Sequence, residues 1–180
     1  MKTRKGGAVI AYSAKAIANY FLKRAKDAGE TLDHLQLQKL VYFAHAVYFK
    51  RNREPLIADP VFAWKHGPVI QTLYDALKCY GSGPVTDYLS DWKWEPKNGM
   101  SSTVPMVNPG DVGTRRFLDN AYDSLHSLAG WRLRCVSHAE DGAWYKTVKG
   151  QGIDPKDENS LRGLPRNLVI LDKEIQECGK

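Results

Sequence analysis

Leu35-Gln-Leu-Gln-Lys-Leu-Val-Tyr-Phe-Ala-His-Ala-Val-Tyr-Phe49 is the stretch that decides the fold. Wound at about 100° per residue, it puts Leu37, Leu40, Val41, Ala44, Val47 and Tyr48 on one broad apolar face. Leu35, Tyr42, Ala46 and Phe49 form a second face, roughly opposite. Gln36, Lys39 and Lys50 run down one seam between the faces, Gln38 and His45 down the other. A helix that is apolar on two sides packs against neighbours on both flanks. At fifteen residues it is too short to span a bilayer. The stretch therefore predicts a buried central helix, and around it a mostly α single compact domain.

Upstream, Ser13 is placed to cap a first helix carrying Ile17, Tyr20, Phe21, Ala25 and Ala28 inward, with Gly29 as its stop. Residues 1–12 read as a flexible lead-in and 13–180 as the domain. Asp33 is placed to cap the central helix, with Gln36 three residues on as in a capping box. Downstream, Pro55 closes that helix. Val61 to Lys65 fits a strand or a helical turn. His66-Gly67-Pro68 reads as a sharp turn, with Pro68 at the first position of a third helix reaching Tyr80.

Residues 85–110 change character. Trp92, Trp94, Pro96, Gly99 and Pro105 stand among short polar runs, which predicts a short β-hairpin or an irregular segment. Trp92 and Trp94 either cover the core from an edge or offer a contact surface to a partner, since Trp dominates interface hot spots. Asp111 or Thr114 opens a fourth helix that Gly130 breaks, and Trp131, Leu133, Cys135 and Val136 belong to another short helix. Ser137-His-Ala-Glu140 has capping-box spacing, which predicts a helix start at Ser137 leading to Trp144 and Tyr145. After a loop over 150–165, a last helix with Leu168, Leu171 and Ile175 inward is expected.

Composition sets the outer bounds. At 43% apolar and 26% charged residues, 180 residues suffice for a self-supporting core. No eighteen-residue apolar window or secretion signal appears, so a cytoplasmic protein with no membrane partner is expected. Cys79, Cys135 and Cys178 are too scattered for a disulfide framework or a zinc site. The net charge of +6 is concentrated at the front, where residues 1–30 alone carry +5. That excess suits either attraction to nucleic acid or an acidic partner, or a solvated tail and outer helix face.

Chemistry is harder to find. His34 and His45 are well separated on the central helix, and His126 and His138 have no obvious metal-binding companions, so no metal is expected. Cys135 and His138 make a conceivable nucleophile pair, but no elbow, oxyanion loop or orienting residue accompanies them. The bland reading is a buried thiol and an imidazole bonded to backbone. Gly81-Ser-Gly-Pro lacks the Lys-Ser/Thr of a phosphate loop. Lys39, held in a narrow seam, is expected to pair with an internal carboxylate, snorkel outward, or meet a partner anion. No helix-turn-helix, zinc finger or RNP-like strand is apparent. No enzyme activity and no cofactor are predicted.

Several strings taken together resemble a known family. Leu35 to Ala44, Pro55-Leu-Ile57, Phe62-Ala-Trp-Lys-His-Gly-Pro-Val69 with Leu73-Tyr74, Leu118…Tyr122 and Ser137-His138-Ala-Glu140…Trp144 are similar to the SocA-like antitoxins, the Panacea domain, known also from phage-associated GepA-like proteins. The likeness covers residues 13–148. It departs at His66, where an aromatic is common, and over 91–112. The resemblance implies a helical antitoxin of a toxin–antitoxin module that neutralises its cognate toxin, encoded by an adjacent gene, through direct protein binding. The alternatives it leaves are a proteolytic adaptor delivering the toxin to a AAA+ protease, or a phage-associated nucleic-acid binder. Its motif residues here are Gln38, Lys39, Tyr42, Trp64, Gly67, Pro68, His138 and Trp144. They are expected mainly to build the scaffold and secondarily to touch a partner, with Trp92 and Trp94 as a separate candidate partner surface.

Overall fold

A computed structural model describes residues 11–176. The expected lead-in thus lies outside the described residues as far as position 10. Tyr12 is held in a parallel bridge to Ile57, its amide donating to the Leu56 carbonyl and its own carbonyl accepting from Ala58. Helix α1 (Ala14–Asp27) follows, capped by the Ser13 hydroxyl. Helix α2 (His34–Asn52) is capped by the Asp33 carboxylate, which accepts from the Gln36 amide at 2.7 Å. The Gln36 side chain does not complete a capping box. It reaches away to the His126 and Leu128 carbonyls.

Helix α2 contacts α1 and the later elements α3 (Gln71–Leu77), α4 (Val112–Leu125), α5 (Gly130–Ser137) and α7 (Asp172–Gln176), together with strand β2 (Gly67–Ile70). Its burial differs from the two-faced expectation. Leu37, Leu40, Val41, Tyr42, Ala44 and Phe49 are buried, and so are the seam residues Gln38, Lys39 and His45, while Leu35 and Val47 reach solvent. The buried arc is wider than the apolar one, and polar side chains are inside it.

Strand β1 (Val61–Trp64) pairs antiparallel with β2 through a two-residue turn at Lys65 and His66. The expected third helix beginning at Pro68 is therefore corrected. Pro68 lies in an edge strand, where its missing N–H costs no ladder bond, and β-branched Val69 and Ile70 extend it. Helix α3 starts only at Gln71 and runs into a 3-10 turn over Lys78–Tyr80. The other edge of β1 is covered by residues 168–170. Ala63 donates to the Leu168 carbonyl and Ile170 to that of Val61, so the expected last helix is shortened to α7.

Strands β3 (Asp91–Glu95) and β4 (Gly99–Thr103) form a second antiparallel hairpin, the first of the two alternatives that the Trp/Pro/Gly pattern left open. The helix break expected at Gly130 comes earlier, with α4 ending at Leu125, and the short helix expected after it is α5. Gly130 begins α5 and lies against the first turn of α2, where a Cβ would fall 3.0 Å from the Gln36 backbone nitrogen. Ser137 is likewise corrected. It ends α5 with its hydroxyl donating back to the Arg134 carbonyl, and helix α6 (Ala143–Gly150) is entered through Gly142 instead. Among the described residues the molecule is mostly helical, with two small antiparallel sheets.

Candidate functional site

Most of the motif residues meet behind the first hairpin. Trp144, fully buried on α6, donates its indole N–H to the Trp64 carbonyl at 2.8 Å. Trp64, only partly buried, donates in turn to the Arg166 carbonyl at 2.9 Å. Gln38 on α2 donates its amide to the Ile70 carbonyl at 3.0 Å, leaving its own carbonyl oxygen buried without a partner. Tyr42 is buried further along α2, its ring edge-on to Phe43.

At the centre is Lys39, 1% exposed. Its ammonium donates to the Pro68 carbonyl at 3.0 Å and, at 3.3 Å, to that of His66. It neither pairs with a carboxylate nor snorkels to solvent. Loss of water disfavours the charge, the nearby Arg134 guanidinium adds to the penalty, and the pKa falls to about 7. The lysine reaches the turn only because residue 67 is glycine. A Cβ there would meet Lys39 Nζ at 2.7 Å, His138 Cε1 at 2.9 Å and Ser137 Oγ at 3.0 Å. The backbone at Gly67 also has φ +102°, a region side chains rarely enter.

His138 completes the cluster, its ring 4.0 Å from that of Trp144. Nδ1 lies 2.7 Å from the Arg134 carbonyl, which can only accept, so Nδ1 carries the proton. Nε2 is buried with no hydrogen bond; the Lys65 carbonyl favours a protonated ring without completing one. Burial is the larger effect, and the ring's pKa lies below its ordinary value. Every donor placed here points at a backbone carbonyl, an arrangement that locks three chain segments together. Cys135, which the sequence paired with His138, is exposed rather than buried.

The second hairpin has the opposite character. Trp92 and Trp94 share one face of β3, and Met100 stands across from Trp94 on β4. They are 66%, 68% and 61% exposed, so the option that these tryptophans cover the core is overturned. The base of the hairpin is nevertheless fixed to α1. Asn19, fully buried, donates to the Leu89 and Pro105 carbonyls at 2.8 and 2.9 Å and accepts from the Leu89 amide at 2.8 Å. Lys15 adds bonds to the Ser90 carbonyl and the Asp91 carboxylate. Asn19 holds both legs, and the aromatic face projects from a pinned root.

Sequence reasoning thus named the motif cluster and the two tryptophans, but missed Asn19, Met100 and Arg134. Asn19 had a signal: a lone amide in the inward run of an amphipathic helix. Met100 becomes visible only once the hairpin register is known.

Among the described residues, no group of three metal-ligating side chains converges, and no helix is long and apolar enough to cross a membrane. The family profile described as Antitoxin SocA-like, Panacea domain, matches residues 37–145, which include both the motif cluster and the second hairpin. A relative, Antitoxin SocA of Caulobacter vibrioides (strain NA1000 / CB15N), is 29% identical over 165 residues, covering 91% of this chain and 80% of the relative. No solved structure matches. A profile spanning more than half of the chain, over the residues that interlock around Lys39, makes this protein a member of the SocA-like antitoxin family, the Panacea domain.

Proposed function

We propose that this chain is the antitoxin of a toxin–antitoxin module and neutralises its toxin by direct binding through the Trp92–Trp94–Met100 face. The single observation that carries the reading is that face: three large apolar side chains on one side of a hairpin, exposed, above a root held by buried Asn19. Solvent-facing aromatics at this density act as interface anchors, and pinning them beforehand lowers the ordering cost of association. A tryptophan offers at least about 150 Å² to a partner, a gross gain of roughly 4 kcal/mol at 25 cal/mol per Å². In this reading the chain is one compact cytoplasmic domain organised on α2, it performs no catalysis, and the toxin is encoded beside it.

The test is co-expression of the full chain with the neighbouring gene product. Rescue of growth with co-purification in fixed stoichiometry, both lost in Trp92→Ala/Trp94→Ala, supports the proposal. Rescue that persists in the double variant removes the hairpin from the interface. Rescue accompanied by protease-dependent loss of the toxin, without a stable complex, favours the adaptor reading instead.

A further inference from the structure

We infer that the cleft between the first turn of α2, the β1–β2 turn and residues 161–166 binds a nucleoside phosphate. This goes beyond toxin binding and does not depend on it, since the exposed hairpin contributes nothing to the cleft. The cavity measures about 900 Å³, within the range of small-molecule sites. One wall carries a cluster of three aromatic rings set at angles to one another. Trp64 meets Tyr74 edge-on at 5.0 Å, and His34 packs on Tyr74 at 5.1 Å. Such a surface offers a base a stacking face.

The electrostatics assign the other half of the ligand. Five cationic side chains line the cleft against one carboxylate, Asp33, which is already occupied capping α2. Three of the five have partners of their own. Lys65 pairs with Glu158, Lys78 with Asp75, and Lys39 with two backbone carbonyls. Arg162 and Arg166 remain, both exposed and neither facing a carboxylate among the described residues. Arg166 sits 5.8 Å over the Trp64 ring, so one of these forks already lies against the face of the aromatic wall. Two unpaired guanidinium forks suit a phosphate group, which they engage bidentately. Gln38 also lines the cleft, 3% exposed, and its buried carbonyl oxygen has no hydrogen-bond partner among the described residues. It is an acceptor of the kind an exocyclic base amine requires. An acidic peptide would use the arginines but leave the aromatic wall and the Gln38 acceptor unused.

Calorimetric titration of the full chain tests this, with ATP, GTP, adenosine, sodium tripolyphosphate and a hexaglutamate peptide as probes. Arg162→Ala/Arg166→Ala is the informative variant, because both side chains are exposed, with an unchanged melting temperature as the check on folding. Saturable binding of ATP or GTP is expected, with adenosine and tripolyphosphate each about tenfold weaker or more, since each supplies half of the contacts. The double variant should weaken the nucleotide about tenfold or more, and Trp92→Ala/Trp94→Ala should leave it unchanged. Absence of binding by either nucleotide overturns the inference. So does tripolyphosphate or hexaglutamate binding as tightly as the nucleotide, or nucleotide binding that survives loss of both arginines.

Discussion

The two hairpins are alike in length and pairing and opposite in environment. In the first, β2 is buried at every position, β1 is covered by residues 168–170, and the turn is held from behind by Lys39. In the second, both strands are largely solvent-facing and the tryptophans look outward, though the root is tied to α1. Local secondary structure therefore says little about role. What separates them is where the polar anchors act: under the turn in the first, making it part of the core, and under the legs in the second, leaving its face available.

The largest effect should come from disturbing the first hairpin at its closest approach. Gly67→Val forces a side chain onto Lys39 Nζ and His138 at a positive φ, and the strain and overpacking together should cost about 3 kcal/mol or more. Urea denaturation measures it; a midpoint unchanged from wild type would break the contrast. Asn19→Ala tests the root of the second hairpin. It removes three hydrogen bonds, two of them fully buried, and should cost about 2 kcal/mol, with faster amide exchange across residues 91–103. Global loss without local loosening would mean that Asn19 serves the core alone.

Smaller effects are expected around the locked hairpin. Trp144→Phe withdraws the indole donor from the Trp64 carbonyl and should cost about 1.5 kcal/mol while leaving toxin binding intact. Equal losses of stability and binding would merge the two regions. Lys39 supplies a pH signature. Its folded pKa of about 7 lies below its ordinary 10.5, so between those values the unfolded chain binds the extra proton. Stability attributable to Lys39 therefore rises with pH across that window, by at most about 1.4 kcal/mol per pH unit. Lys39→Met should flatten the rise in melting temperature between the two values, and a parallel pair of curves would contradict the buried placement.

The helices were largely legible because their signals are local. Ser13 and Asp33 cap where their spacing indicates, and the apolar period locates α1 and α4. The failures arose where tertiary contacts overrode a local rule. Pro68 satisfies the first position of a helix and equally an edge strand, and only the pairing with Ala63 decides. Ser137 has the spacing of a cap, yet its hydroxyl closes the helix before it. Gly130 does mark the start of a new helix, but that its missing side chain admits the first turn of α2 is a tertiary fact. Lys39 is the clearest case. Its two carbonyl partners come from a turn twenty-seven and twenty-nine residues away, which no periodicity reveals. The gathering of most of the motif residues at one locus was equally invisible, because it depends on the 168–170 segment and α5 closing around β1–β2.

We propose that the outward hairpin, and not the locked one, holds the toxin. Titration of the neighbouring gene's product with wild-type chain and with Trp92→Ala/Trp94→Ala tests it most directly. Removing two anchors should weaken binding by about 2 kcal/mol or more, roughly thirtyfold, with the melting temperature unchanged. Affinity equal to wild type in a folded double variant would contradict the account.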